Sequence, residues 1–378
     1  MMNAIPMVDL KGQYQKIKTE IDQAVLEVMA TAQFINGPRV KEFSNNLEAY
    51  LGVNHVVPCA NGTDALQIAL MALGLKPGDE VICPAFTYVA TAEVIALLGL
   101  TPVMADVDPD TFNITAALIK PLITNKTKAI VPVHLYGQSC DMEAIMDLAT
   151  TYKLFVVEDN AQATGAKYTF SDGSIKNTGT MGHIGTTSFF PSKNLGCYGD
   201  GGALMTNDTA LAQKIKMIAN HGQETTYYHK VIGCNSRLDS IQAAILNTKL
   251  KYLDTYSAAR NQMADAYDTA FRGIAGLTLP KRQANSSHVF QQYTLKTEAR
   301  LRDQLLNHLK AKGIPVMVYY PIPLYQQEAF SPYIDKGFKI PNVEGLCKCV
   351  FSLPIHTEIG NSQQELIIKA VREFFKNV

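Results

Sequence analysis

The run Thr186-Thr187-Ser188-Phe189-Phe190-Pro191-Ser192-Lys193-Asn194-Leu195-Gly196 places a lysine just beyond an apolar, aromatic stretch, with a proline and small residues between. A lysine held partly out of water has its pKa lowered and becomes a Schiff-base nucleophile. The same residue on an open surface is an ordinary solvated charge, and the segment by itself fits both. A second run, Val156-Val157-Glu158-Asp159-Asn160-Ala161-Gln162, ends an apolar strand in carboxylates. Asp159 would then stand at the carboxyl edge of a sheet, where open α/β folds bind ligands. There it can ion-pair with a protonated heteroaromatic nitrogen while Gln162 reaches a neighbouring ring substituent; it can equally cap the next helix. In a third run, Ala60-Asn61-Gly62-Thr63-Asp64-Ala65, Gly62 permits close backbone approach. The free N–H groups of a helix start, with the Thr63 hydroxyl, can cradle a phosphate. A plain N-cap by Asn61 or Thr63 explains the segment as well, and Asp64 is an awkward neighbour for a phosphate. The Gly199-Asp200-Gly201-Gly202 run reads as a tight turn.

Three such segments need a scaffold that brings them together. Between residues 55 and 206, β-rich runs alternate with helix-like stretches. The predicted strands are His55–Cys59, Val81–Cys83, Pro102–Ala105, Ala129–Leu135, Leu154–Glu158, Thr186–Phe190 and Ala203–Thr206. Leu154-Phe155-Val156-Val157 is apolar on consecutive residues, as a strand covered on both faces must be. This is the pattern of an α/β, doubly wound, largely parallel sheet. Helices are predicted at Asp64–Leu73, Ala90–Leu98, Asp141–Tyr152 and Thr209–Ala219, the last capped by Asp208 or Thr209. From Arg237 to Phe271 one long helical region follows, with Leu238, Ile241 and Ile245 at steps of three and four. Beyond it, strands at Val289–Leu295, Ile314–Tyr319 and Val350–Leu353 and helices at Glu298–Lys312 and Gln363–Phe375 make a smaller α+β unit. The expected division is 1–250 and 251–378, with no internal repeat or low-complexity tract.

A chain of 378 residues, 47% apolar and only 18% charged, is no mini-protein, and its composition weighs against disorder. Its 34 basic residues balance 34 acidic ones, so no global field recommends a nucleic acid or an anionic membrane. Small phosphorylated ligands stay compatible, because local N–H groups can hold them. The seven cysteines (Cys59, Cys83, Cys140, Cys197, Cys234, Cys347, Cys349) are odd in number and mostly isolated, which fits reduced thiols in the cytoplasm. Cys347 and Cys349 lack further ligands at zinc spacing. His134, His183, His221, His229 and His356 read as structural or loop residues, so no metal site is expected. Met1–Leu10 has neither a basic start nor a long apolar run, and no apolar stretch reaches bilayer length.

Phosphate cradle, pyridinium partner and Schiff-base lysine follow one another as in fold type I enzymes that use pyridoxal 5′-phosphate. The chain resembles the DegT/DnrJ/EryC1/StrS nucleotide-sugar aminotransferases nearly end to end, from Val8-Asp9-Leu10 to Leu353-Pro354-Ile355-His356. The most specific matches are Asn61-Gly62-Thr63-Asp64-Ala65-Leu66, Pro84-Ala85-Phe86-Thr87-Tyr88, Glu158-Asp159, Ser188-Phe189-Phe190-Pro191-Ser192-Lys193 and Asn235-Ser236-Arg237-Leu238. Within the family it looks most similar to enzymes that aminate a UDP-2-acetamido-2-deoxy-hex-3-uluronic acid. The resemblance implies a large domain with a mostly parallel seven-stranded sheet and a smaller C-terminal α+β domain.

It also implies roles. Lys193 would bind the cofactor as a Schiff base and later shuttle the proton, while Asp159 keeps the pyridine nitrogen protonated. Gln162 would contact the ring's phenolic oxygen and Tyr88 would stack on its face. Gly62, Thr63 and Ser188 would hold the phosphate, with Asn235 supplied by the neighbouring subunit, so a homodimer with shared sites is implied. The substrate pocket would include Ala32, Phe34, Ser192, Arg237, Tyr319 and Tyr320, with Arg237 suited to a carboxylate. Tyr319 stands where close relatives commonly carry histidine, and Ala32 and Phe34 replace a glycine and a tyrosine. The implied reaction moves an amino group from glutamate to UDP-2-acetamido-2-deoxy-3-keto-glucuronic acid, for a cell-surface polysaccharide (O-antigen, lipopolysaccharide) precursor. A dTDP-linked 3-keto or 4-keto-6-deoxy sugar is the alternative substrate, and a non-catalytic cofactor-binding regulator the alternative class. A sugar 3-dehydratase would carry histidine in place of Lys193. A nicotinamide dehydrogenase would need G-x-G-x-x-G after the first strand, where the 61–66 turn has a single glycine.

Overall fold

The short apolar runs pair into one sheet, described here from a computed structural model covering residues 5–335 and 337–377. Its strands are β1 (His55–Cys59), β2 (Glu80–Pro84), β3 (Thr101–Ala105), β4 (Thr127–Ile130), β5 (Phe155–Asp159), β6 (Ile184–Ser188) and β7 (Gly202–Thr206). They lie in the order β1-β7-β6-β5-β4-β2-β3. From β6 to β3 every pairing is parallel; β7 alone runs against its neighbours, inserted between β6 and β1. This is the mostly parallel, seven-stranded α/β sheet expected. Alternate residues feed separate apolar clusters: Val57 and Leu204 pack on one face, Val56, Ala203 and Met205 on the other. Burial on both faces is what makes such strands apolar on consecutive residues.

Helices α1 (Leu10–Thr31) and α2 (Pro38–Leu51) precede the sheet, and α3 (Gly62–Leu73), α4 (Ala90–Leu97), α5 (Met142–Tyr152) and α6 (Thr209–Ala219) connect its strands. Side-chain oxygens set several of the starts. Asp9 accepts from the Gly12 N–H (2.8 Å) at α1, and Asp208 accepts from Ala210 (2.7 Å) and Leu211 (3.0 Å) at α6.

The long helix expected over 237–271 is two helices, α7 (Ser240–Leu250) and α8 (Leu253–Phe271). The Tyr252 N–H folds back to the Lys249 carbonyl (3.0 Å), a tight turn that redirects the chain. It lets α7 lie on α1 and α2 while α8 sends Met263, Tyr267 and Phe271 into a second apolar cluster. Into that cluster also go β8 (Leu277–Thr278), β9 (Tyr293–Thr297), α9 (Ala299–Ala311), β10 (Val350–Leu353) and α11 (Asn361–Lys376), whereas α10 (Pro341–Cys349) faces the sheet. Residues Leu324, Phe330, Val343 and Leu346 return to pack with the large sheet.

Three other expectations shift. β4 stops at Ile130 instead of reaching Leu135, because Pro132 has no N–H for the ladder and the chain turns at Tyr136 with φ +59°. The strand expected at 289–295 moves to Tyr293–Thr297, its first residues forming a loop against the Gly137 turn. Residues 314–319 are not a strand; between Pro315 and Pro321 only Met317 pairs, exchanging hydrogen bonds with Ser352 (2.7 and 3.2 Å). Among the described residues no group of three or more His, Cys, Asp or Glu side chains is placed to hold a metal ion, and no helix is long and apolar enough to cross a membrane. All seven cysteines are free thiols.

Arg260 of α8 holds two loops of the second cluster together from inside. Its buried guanidinium donates to the carbonyls of Phe290 (3.0 Å) and Ile355 (2.8 Å), and burial lowers its pKa to about 10. Replacing it by methionine strands two buried carbonyls, each costing about 1–3 kcal/mol. Arg260→Met is therefore expected to unfold at a clearly lower urea midpoint than the parent, and an unchanged midpoint would show that the two carbonyls find other donors.

Candidate active site

Successive side chains of a strand point to opposite faces, so the two carboxylates that end β5 part company. Glu158 turns into the interior and is fully buried. Its carboxylate accepts from the N–H groups of Gly179 (2.8 Å), Met181 (2.6 Å) and Gly182 (2.6 Å), and from His134 Nε2 (2.8 Å). His134 Nδ1 accepts from the Cys140 N–H (3.1 Å), which leaves the ring hydrogen on Nε2, facing Glu158. Asp159 turns the other way. Its Oδ2 accepts from the Thr91 hydroxyl (2.8 Å) and its Oδ1 from the Ala161 N–H (3.2 Å). Residues 161–165 form turns, so Asp159 has no helix to cap.

The chain after β4 carries the next group. The Tyr136 N–H donates to Gln162 Oε1 (2.9 Å), and Gln162 Nε2 donates to the Tyr320 hydroxyl (3.1 Å). One N–H of the Gln162 amide remains for a ligand. The Tyr320 ring packs edge-on against Phe86.

Lys193 follows β6 on a turn held at several points. Its N–H reaches the Phe190 carbonyl (2.8 Å), and Cys197 N–H reaches that of Phe189 (2.8 Å). Gln291, from the loop before β9, accepts from the Asn194 N–H (3.0 Å) and donates to the Ser192 carbonyl (3.0 Å). From below, the buried Lys249 of α7 donates to the Gly196 carbonyl and lies 5.1 Å from the Tyr198 ring centre. Lys193 Nζ has no hydrogen-bond partner among the described residues. Burial brings its pKa down to about 8, against the opposing pull of the Asp159 charge. This is a nucleophile's environment.

The cradle lies where α3 starts. Asn61 Oδ1 accepts from the Asp64 N–H (2.8 Å), so Asn61 is the cap and Asp64 is engaged through its backbone. A methyl at Gly62 would stand 2.6 Å from Ser188 Cβ, and one at Gly202 only 2.4 Å from the Asn61 carbonyl. Gly202, the first residue of β7, is thus required by close approach. Gly62 and Thr63 N–H, the first of the helix, have no acceptor among the described residues and stand beside Ser188. The Ser236 hydroxyl accepts from Ala60 N–H (3.1 Å), which ties the segment before α7 to the residue just ahead of this turn.

Other candidates lie further out. Tyr88 is 60% exposed in the turn before α4. Arg237 is half-buried and makes no ion pair among the described residues. Asn235, Ala32 and Phe34 are exposed, and no hydrogen bond among the described residues joins them to Asp159, Gln162 or Lys193. The Phe34 carbonyl accepts from Ser240 N–H (2.8 Å), and Ala32 caps α1 at φ +52°, a conformation that suits glycine better. The motifs did not single out Thr91, Tyr136, Gln291 or Lys249. The available signal for Tyr136 was the buried polar run His134-Leu135-Tyr136-Gly137 between a strand and a helix.

These residues suit pyridoxal 5′-phosphate: a half-buried amine with no hydrogen-bond partner among the described residues, a carboxylate for the pyridine nitrogen, and two glycines that leave helix-start N–H groups beside a serine for the phosphate. Residues 15–372 match the model of the DegT/DnrJ/EryC1/StrS aminotransferase family. The chain belongs to the DegT/DnrJ/EryC1/StrS aminotransferase family. It is similar to the UDP-2-acetamido-2-deoxy-3-oxo-D-glucuronate aminotransferase of Pseudomonas aeruginosa, 44% identical over 367 residues covering 97% of this chain and 99% of that one. It is also 45% identical, over 99% of each chain, to a pleiotropic regulatory protein of Geobacillus stearothermophilus. The crystal structure of S. venezuelae DesV in complex with ketimine intermediate superimposes at a TM-score of 0.95, with 37% identity and full coverage of both chains. As a DegT/DnrJ/EryC1/StrS aminotransferase, the protein is a pyridoxal-phosphate-dependent transaminase of nucleotide sugars.

An amine with a pKa of about 8 is neutral, and able to attack an aldehyde, above that pH. Capture of added pyridoxal 5′-phosphate by cofactor-free enzyme, followed by its visible absorbance, is expected to speed up about tenfold per unit below pH 8 and to level off above it. A rate still climbing at pH 10 would assign Lys193 an ordinary lysine pKa.

Proposed function

We propose that this aminotransferase transfers the amino group of glutamate to a keto-uronic acid carried on a nucleotide, UDP-2-acetamido-2-deoxy-3-keto-glucuronic acid, for a cell-surface polysaccharide precursor. The observation that carries the reading is Arg237. It is half-buried and makes no ion pair among the described residues, so a substrate carboxylate is the anion we assign to it. The 44% identity to an enzyme named for the glucuronate supports the same choice.

Bound pyridoxal phosphate supplies an electron sink for the carbon that loses its proton. The protein residues do the rest. Asp159, oriented by Thr91, keeps the pyridine nitrogen charged. Gln162 offers its remaining N–H to the ring oxygen, and Tyr88 covers the ring face. Gly62 and Thr63 N–H, with Ser188, bind the phosphate, and Asn235 of the partner subunit completes it, so the working unit is a homodimer. Lys193 Nζ holds the proton and returns it; a pKa of about 8 suits both directions near neutral pH. Ser192, Tyr319 and Tyr320 wall the sugar site, with Ala32 and Phe34 at its rim. In this reading the chain divides near residue 250, the large part holding the cofactor and the smaller part closing over the sugar.

Ping-pong kinetics follow, and Lys193→Ala is expected to lose at least about a thousandfold in turnover. Across a panel of keto-sugar nucleotides, uronic substrates should outrun 6-deoxy ones, and Arg237→Ala should erase that preference with a loss of about tenfold to a hundredfold. A parent enzyme indifferent to the carboxylate would refute the substrate, and a bound cofactor whose spectrum ignores glutamate would point to a non-catalytic regulator.

A further inference from the structure

We propose that Tyr136 is a positioning residue for the sugar half of the reaction, its hydroxyl fixing the Tyr319–Tyr320 wall relative to Gln162. The proposal rests on the functional reading above.

Tyr136 is buried and sits on the chain leaving β4, in the large part of the molecule. Its left-handed φ of +59° is uncommon for a bulky residue. The turn is also locked from behind, since a methyl on Gly137 would come within 2.9 Å of the Val289 side chain and 3.0 Å of the Phe290 and Gln291 nitrogens. The ring packs edge-on against Phe112, 5.2 Å between centres. Both polar ends are used. The backbone N–H holds Gln162 Oε1 (2.9 Å), and the hydroxyl donates to the Tyr319 carbonyl. Because Gln162 Nε2 donates to Tyr320 (3.1 Å), the contacts close a ring running Tyr136, Gln162, Tyr320, Tyr319 and back to Tyr136.

What this ring holds is otherwise loosely tied. Residues 317–320 belong to no strand, and Met317 with Ser352 is their single backbone pair among the described residues. Gln162 holds the Tyr320 side chain, and the Tyr136 hydroxyl adds a bond from the cofactor side to the segment's backbone. Fixing the Tyr319 carbonyl fixes where the two tyrosine rings project. Gln162 and Asp159 do not depend on the hydroxyl, because the backbone N–H serves Gln162.

Tyr136→Phe removes only the O–H and keeps the ring and the N–H. In single-turnover spectroscopy of the holoenzyme, the reaction of the aminated form with the sugar nucleotide is expected to lose about tenfold, chiefly through KM. The glutamate half-reaction should stay within about twofold of the parent and the cofactor's absorption spectrum should not move. In the cofactor-free protein, hydrogen exchange at residues 317–320 should quicken while the Asp159–Gln162 stretch is unaffected. The double variant Tyr136→Phe/Tyr320→Phe should lose less than the product of the single losses, since both act on one wall. Equal slowing of both halves, unchanged exchange at 317–320 or fully multiplicative losses would each overturn the proposal. A parent enzyme that does not react with glutamate at all would instead overturn the functional reading beneath it.

Discussion

The site depends on a carboxylate that never meets a substrate. Taking Glu158 out of water costs several kcal/mol unless its oxygens are filled, and four donors fill them: three consecutive-loop N–H groups and His134. Those bonds pin the end of β5 to the loop before β6 and to the chain leaving β4. Asp159 is the next residue on β5, Lys193 lies beyond β6, and Tyr136 lies two residues past His134. One buried carboxylate therefore ties the chain leaving β4 and the end of β5 to the loop before β6, and Asp159 and Tyr136 are placed directly beside it. Strand alternation lets two adjacent carboxylates serve opposite purposes, one for architecture and one for chemistry.

The overall charge balance of 34 against 34 conceals an uneven interior. Lys249 and Arg260 are buried against carbonyls and rings and Lys193 is half-buried, each with its pKa lowered by loss of water. Lys249 and Arg260 spend their hydrogens on backbone carbonyls of the Lys193 turn and of the loop carrying Gln291. The reactive amine is thus held by neighbours that are cationic but committed, and its nearest opposite charge is Asp159. Such local arrangements leave no trace in net charge.

Much of this could be read from the chain because the strands announce themselves by apolar runs and the cradle by Asn61-Gly62-Thr63. Ends and breaks were harder. The stop at Ile130 comes from Pro132, but the turn at Tyr136 is a non-glycine residue in a left-handed conformation that no local pattern marks. The α7–α8 break has neither proline nor glycine; Leu250 and Leu253 on either side of it serve one cluster, and only further along α8 do Met263 and Phe271 enter another. Gln291, a hundred residues beyond Lys193, reaches it only once the chain folds back. Thr91 and Lys249 are likewise ordinary helix residues until tertiary packing aims them. Asn235, Ala32 and Phe34 are exposed in the single chain, and the role proposed for Asn235 needs the second subunit of the proposed homodimer.

Gly202 is the last residue for which the sheet and the cradle must agree. It pairs with Cys59 on one side and Ser188 on the other, and it lies against the Asn61–Gly62 peptide. Because strand register is discrete, a slip of β7 by one position would exchange this glycine for Ala203 or Gly201 and reverse every side chain behind it. Alanine there would collide with the Asn61–Gly62 turn, proposed above to receive the phosphate. The anion pocket therefore works as a gauge of the one antiparallel strand: only a correctly threaded β7 leaves room for it, so folding errors in the sheet would surface as an inability to retain cofactor.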